Sequence, residues 1–252
     1  MNRPKLFIKK AKDNCNVMDV GCGPGTITHD ELYPLFPKTI NELVAIDISP
    51  EMIEYAKSHY EANTKIKFSV MDILTDDVPS DHKNHFDYIT SLYCLHFVSD
   101  HRKALSNIHE MLKPGGKIFL NHMAKCSTLD IYKYMATKDE WKAVFANLEN
   151  IIPPTQYCDD SKSYYENLLK EVGFVPQLCS VKEKMHSYTK EIYDDLALAV
   201  ASFDIPHNMK KKFLFEHLEY ARICNYIRTD ERNEIYIDLP YTLLTVCATK
   251  LS

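Results

Sequence analysis

Residues 17–26 read VMDVGCGPGT: an apolar run closing on an acid, then glycines at 21, 23 and 25. Glycine tolerates positive φ and lets a ligand lie against bare backbone, so three of them at alternate positions make a sharp, open loop. A loop of this kind between an apolar strand and a helical pattern points to an open α/β sheet with a nucleotide-type ligand at the strand's carboxyl end. A purely structural glycine turn is the alternative for the loop taken alone.

The rest of the chain alternates in the same way. Strand one covers Asn16 to Gly21, a helix about Thr26 to Phe36, and strand two Glu42 to Ile48. Ser49-Pro50-Glu51 supplies an N-cap and a first-turn proline for a helix reaching Tyr60. Lys65 to Asp72 is strand three, Phe86 to Tyr93 strand four, and about Asp100 to Leu112 a helix; Pro114-Gly115-Gly116 then turns into strand five, KIFLNHM. Residues 124–172 read as a helical insertion broken at Pro153-Pro154, with a helix over Tyr164 to Val172. FVPQLCSVKEKMHSY follows, then a second helical stretch within 190–230, and Tyr241 to Thr249 as the last strand. The expectation is one doubly wound domain over 1–252, its core at 1–123 and the insertions 124–172 and 190–230 forming a cap over the acceptor.

Which ligand the loop takes depends on its spacing. A dinucleotide fingerprint needs G-x-G-x-x-G, but position 26 is Thr and the glycines run G-x-G-x-G. Asp19, two residues before the first glycine, repels a pyrophosphate and suits an ammonium group. Asp47 ends strand two, where a carboxylate accepts both ribose hydroxyls, and Asp72 ends strand three, where it accepts from an adenine amino group beside Ile73. A single strand-end aspartate is as readily a turn or helix cap. Three on successive strands favour S-adenosylmethionine over NAD, held by Asp19, Gly21, Cys22, Gly23, Gly25, Asp47, Ile48, Asp72, Ile73 and Ser91.

Composition narrows the class. The 252 residues are 45% hydrophobic, enough for one full core, and a net charge of −5 argues against a nucleic-acid-tracking surface. The runs Lys9-Lys10-Ala11-Lys12 and Lys210-Lys211-Lys212 read as solvated faces. Eight cysteines, with no C-x-x-C pair, indicate neither a zinc site nor a disulfide framework, and no metal is expected. No leader pattern and no membrane-length apolar run is present, so the cytoplasm is the expected compartment.

MDVGCGPG, AIDIS, MDI, FDYITSLYCLHFV and LKPGGKIFL, in that order, resemble the motifs of class I S-adenosylmethionine-dependent methyltransferases. The resemblance implies a Rossmann-like, seven-stranded sheet whose antiparallel last strand lies beside the sixth, with KEKMHSY and YTLLTVCAT as those two strands. YCLH, the Trp141 region and LLKEVGF are similar to the juvenile hormone acid O-methyltransferases of arthropods. That implies a small-molecule carboxylic acid acceptor of farnesoic or juvenile hormone acid type, esterified on its carboxylate; small-polyacid methyltransferases share much of the same core. Two departures stand out. Phe97 occupies a position where the family usually has Trp, and only Ile8 to Cys15 separates the opening MNRPKLF from strand one, with no Gln before Gln156. Family members place a covering helix and an acceptor-orienting Gln there, so a cofactor-binding paralogue with impaired turnover is a further reading.

The chemistry of such a site is simple. A carboxylic acid with a pKa of about 4–5 is ionised at neutral pH, so its methylation needs no strong base, only an in-line, water-poor setting. Residues just past strands four and five are then orienters. His96 is the candidate catalytic donor, or alternatively a helix cap packed on Phe97; Tyr93 is a donor or a packing ring, and His122 a weaker candidate. Trp141, the single tryptophan, lies among Tyr132, Tyr134, Met135 and Phe145, as core or as the lining of an acyl pocket.

Overall fold

The computed structural model describes residues 11–62, 64–199, 201 and 203–251. The opening segment, on which the covering-helix comparison and the start of the Lys9-Lys10 run fall, lies outside them. In chain order the first elements are β1 (Asn16–Val20), β2 (Glu42–Asp47), α1 (Pro50–Ala56), β3 (Ile66–Val70), β4 (Phe86–Leu92), α2 (His101–Met111) and β5 (Leu112–Cys126). Then come α3 (Ser127–Ala136), α4 (Ser161–Val172), β6 (Phe174–Thr189), α5 (Lys190–Ala199), α6 (Lys210–Ile223), β7 (Ile227–Thr229) and β8 (Ile235–Lys250). Among the described residues no helix is long and apolar enough to cross a membrane.

The chain divides into two compact units, the first comprising residues up to Ala124, Pro153–Val181 and Leu244 onward. Its sheet has the order β3-β2-β1-β4-β5-β8-β6. β1 pairs in parallel with both β2 and β4, so the strand order reverses at the carboxyl end of β1, where open α/β sheets bind ligands. β8 runs against β5: Lys250 Nζ donates to the Leu112 carbonyl at 2.7 Å, while nine residues up β5 the Asn121 amide donates to the Thr245 hydroxyl at 2.9 Å. The expected inserted antiparallel strand is therefore present. The Pro114-Gly115-Gly116 turn is absorbed into β5 as a bulge, the register jumping from Phe86 opposite Leu112 to Tyr88 opposite Lys117.

Every residue of β1 is buried, as a strand covered on both faces requires. Its side chains alternate between two cores. Met18 and Val20 join Leu105, Ile108, Tyr165 and Leu169 on one face, and Val17 joins Leu43, Ala45, Ile53 and Phe68 on the other. Tyr165, Leu168 and Leu169 make α4 part of this core, so the helix expected within the insertion belongs to the first unit, because its apolar stripe has the α2 face to cover. Ser49 caps α1 by accepting from Met52 N–H at 3.2 Å, as anticipated, and Asp100 caps α2 by accepting from Lys103 N–H at 2.9 Å.

The second unit is Lys125–Ile152 with Lys182–Leu243. It holds α3, α5 and α6 around an aromatic core in which Tyr132, Phe145, Phe213 and His217 pack ring against ring. β7 pairs antiparallel with the start of β8, Arg228 opposite Tyr236, making eight strands where seven were expected. Three residues with two exposed give no alternation for a sequence pattern to register.

Candidate active site

The glycine loop is built by its neighbours' backbone. Gly21 and Cys22 N–H both donate to the Ile46 carbonyl of β2, at 2.8 and 3.0 Å, and Gly25 N–H donates to the Cys22 carbonyl at 3.1 Å. Gly21, Gly23 and Gly25 all have φ between +54° and +84°. A side chain at Gly21 would place its Cβ 2.1 Å from Cys94 Sγ, so only glycine fits, whereas a Cβ at Gly23 would meet nothing within 4 Å. Gly23 is thus the open point of the loop, and Pro24 beside it is exposed.

Asp47 ties the loop to β2. Its Oδ2 accepts from Gly23 N–H at 2.8 Å and its Oδ1 from Ser49 N–H at 3.0 Å. A carboxylate has about four lone-pair directions, so this half-buried group keeps capacity toward the open side. Ile48, next in chain, is 66% exposed. Asp72 lies two residues beyond the end of β3 rather than on it, exposed, with Oδ1 accepting from Leu74 N–H at 2.8 Å. This is the local turn bond that competes with any ligand role. The Ile73 side chain is buried in the core, and its carbonyl accepts from Asn107 at 2.7 Å.

Asp19 does not face the open side. It is sealed, Oδ2 accepting from the Thr28 hydroxyl at 2.7 Å and Oδ1 from the Thr90 hydroxyl at 2.9 Å, so it joins β1 to the short helical segment Thr28–Leu32 and to β4. Burial pushes its pKa up to about 6, against the lowering effect of the two hydroxyls. Ser91 is likewise inside the sheet, donating to the Val20 carbonyl at 3.0 Å, and Cys22 is buried with burial raising its thiol pKa.

Past β4 the chain makes a tight turn. Tyr93, at φ +53°, leaves the strand with its N–H on the Asn121 carbonyl at 2.7 Å and is 42% exposed as a residue. A non-glycine residue in that region stores strain that recurs at functional sites. Cys94 packs under Gly21, and Leu95–Phe97 form a short 3-10 turn that buries His96 and half-buries Phe97. The His96 ring lies 4.1 Å from that of Phe97; burial pulls its pKa down to about 3, so it is neutral at physiological pH. Its Nδ1 has no partner among the described residues.

Two candidates change character. His122 is fully buried on β5, beneath the surface rather than on it, and burial holds its pKa well below the usual value. Trp141 is 0% exposed inside the second unit, 6.0 Å from Phe213 and 6.1 Å from Phe145, which makes it core and not a pocket lining. The stripe of aromatic neighbours in the sequence is what an aromatic core requires. A cavity of about 600 Å³ in the same unit, bordered by Lys125, Asp130, Lys184 and Tyr241, is lined by none of the expected site residues.

Thr28, Thr90 and His101 were not among the expected residues. Their partners lie 9, 71 and 6 positions away, and a hydroxyl or imidazole inside an amphipathic pattern carries no signal of its own.

A methyltransferase-domain family model matches residues 11–173. The chain is 30% identical over 239 residues to juvenile hormone acid O-methyltransferase of Drosophila melanogaster, a match covering 93% of this chain and 80% of that protein. The enzyme of the same name from Bombyx mori is 29% identical over 253 residues, covering 97% and 88%. In fold, phosphoethanolamine N-methyltransferase 2 of Haemonchus contortus, solved in complex with S-adenosyl-L-methionine, superposes with a TM-score of 0.55 at 17% identity, over 100% of this chain and 53% of that one.

Proposed function

The chain belongs to the methyltransferase-domain family, and from that premise we propose that it transfers the methyl group of S-adenosylmethionine to the carboxylate of an isoprenoid or similarly apolar acid. The observation that carries the proposal is the reach of the insect similarity. The family model stops at residue 173 and takes in only Lys125–Ile152 of the second unit, but the likeness to the Drosophila enzyme covers 93% of the chain and so reaches most of Lys182–Leu243 as well.

The residues present fit the cofactor. Gly23 leaves room for a ligand against backbone, Asp47 retains acceptor capacity for ribose hydroxyls, Ile48 offers an exposed apolar face, and the exposed Asp72 keeps one carboxylate oxygen beyond its turn bond to Leu74 for an adenine amino group. Asp19 and Ser91 brace the end of β1 that leads into the loop, through Thr28, Thr90 and the Val20 carbonyl. When bound, the cofactor supplies an electrophilic methyl on a sulfonium. The protein's part is then to hold an acid already ionised in line with that methyl and to keep water away. His96 and Tyr93, on the turn that abuts Gly21, are the proposed orienters, and Phe97 lends an apolar wall. A neutral imidazole suits this role, because it donates an N–H to a carboxylate without adding a charge that would compete for it.

A polyacid acceptor would call for paired arginines. Of the described arginines, Arg102, Arg222 and Arg228 are engaged by Glu171, Glu219 and Asp238, and Arg232 is exposed. This favours the apolar acid. The test is a methyl-transfer panel with farnesoate, a straight-chain fatty acid and a tricarboxylate at equal concentration. A methyl ester of farnesoate formed at tenfold or more the rate of the tricarboxylate ester is the expected result; the reverse ranking would replace this reading with the polyacid one.

A further inference from the structure

The turn Leu95–Phe97 joins the two halves of the proposed site: its leading residue Cys94 sits under Gly21, and it carries His96 and Phe97. Its own backbone bonds are few, Phe97 N–H to the Cys94 carbonyl at 3.0 Å and Val98 N–H to the Leu95 carbonyl at 3.1 Å. A third bond comes from outside. His101, at the first turn of α2, places Nε2 2.8 Å from the same Leu95 carbonyl. A carbonyl has no proton to give, so Nε2 carries the hydrogen and Nδ1 the lone pair. The ring is 1% exposed and stands edge-on to His122 and Tyr165, both with centroids at 5.4 Å. Asp100, the cap of the same helix, is the nearby carboxylate, and His96 and His122 are the other titratable groups that act on the cluster.

We propose that His101 is a positioning residue for methyl transfer: its Nε2–H holds the Leu95 carbonyl and thereby sets His96 and Phe97 against the glycine loop, with His122 and Tyr165 enclosing the ring and fixing its tilt. The proposal rests on the function proposed above for its kinetic consequence, though not for its geometry. Because reacting atoms must meet within a few tenths of an ångström of in-line geometry, a shift of about 1 Å in the turn costs on the order of a hundredfold in rate. The cofactor loop keeps its own bonds to Ile46 and Asp47, so cofactor affinity is left largely unchanged.

Two variants of the full chain separate donor from bulk. His101→Phe keeps a ring and removes the N–H; His101→Gln keeps an N–H of similar reach. The expected result is a kcat for farnesoate reduced ten- to a hundredfold in His101→Phe, with the S-adenosylmethionine Kd within about threefold of wild type, and most of kcat regained in His101→Gln. Equal kcat in both variants, or an unchanged kcat in His101→Phe, overturns the proposal. Nitrogen-15 NMR reads the same point without any acceptor: wild type must show His101 as the Nε2–H tautomer, and the amides of residues 95–97 must move in His101→Phe but not in His101→Gln. An Nδ1–H tautomer in wild type, which needs no variant to fold, contradicts it. If no carboxylate is methylated at all, the functional reading fails while the NMR result still decides the role of His101 in the turn.

Discussion

The glycine loop and the histidine cluster lie in the same compact unit, yet they are built in opposite ways. In the loop, polar atoms find partners close at hand: Gly21, Cys22, Gly23 and Gly25 N–H are all bonded, and both oxygens of Asp19 and of Asp47 accept from protein donors. In the cluster, His96 Nδ1, His101 Nδ1, both nitrogens of His122 and the Tyr165 hydroxyl are buried with no partner among the described residues. The loop is tied down by polar bonds within the protein, whereas the histidine rings of the cluster are held neutral by burial around the turn Leu95–Phe97.

The sharpest way to break this contrast is at Gly21. Gly21→Ala puts a methyl into Cys94 at a positive φ, combining overpacking with backbone strain, for an expected loss of about 3 kcal/mol or more. Denaturant unfolding checks it, and adding Cys94→Gly should recover the steric part but not the strain. Full stability in Gly21→Ala alone would show that the loop is looser than its bonds imply.

Acid titration separates the two regions by sign. His96 and His101 are held down to about 3 and 4 from 6.5, so below pH 6.5 the unfolded chain takes up protons that the folded rings refuse. Stability is therefore lost as pH falls from about 6.5 toward 4, at about 1.4 kcal/mol per pH unit for each such histidine. Asp19 works the other way: its pKa is raised from 3.8 to about 6, so its contribution is fully present below 3.8 and is lost as pH rises through 6. Urea midpoints at pH 7 and 5 should accordingly fall more steeply in Asp19→Asn and less steeply in His101→Gln than in wild type. Parallel profiles would remove the distinction.

Smaller effects sharpen the cofactor side. Asp47→Ala removes an acceptor from Gly23 N–H and from the ribose, and calorimetry should read weaker S-adenosylmethionine binding by about 1.5–3 kcal/mol. Ser49→Ala, losing only the α1 cap, should cost about 1 kcal/mol of stability with little change in that affinity. An affinity loss in Ser49→Ala as large as in Asp47→Ala would mean that α1, not the carboxylate, organises the site.

The same contrast explains what the sequence made legible. The loop, Asp47 and the cap at Ser49 are local: each rests on a spacing of a few residues or on the end of an apolar run, and the alternation of strands and helices orders them. Asp19 was legible in position but not in role, because Thr28 and Thr90, which enclose it, come from two other elements. The cluster unites residues 96, 101, 122 and 165 from four segments, and only their burial makes a site of them. Trp141 was ambiguous for the same reason, since an aromatic stripe reads alike whether it faces a core or a ligand.

The central claim is that a carboxylate oxygen attacks the methyl of S-adenosylmethionine. Incubating the protein with methyl-deuterated cofactor and farnesoate labelled with oxygen-18 in both carboxylate positions, followed by mass spectrometry of the extracted ester, tests it most directly. The account predicts a methyl ester that carries the deuterated methyl and retains both oxygen-18 atoms. Loss of one oxygen-18, or a deuterated methyl found on nitrogen, carbon or sulfur with no ester formed, would contradict it.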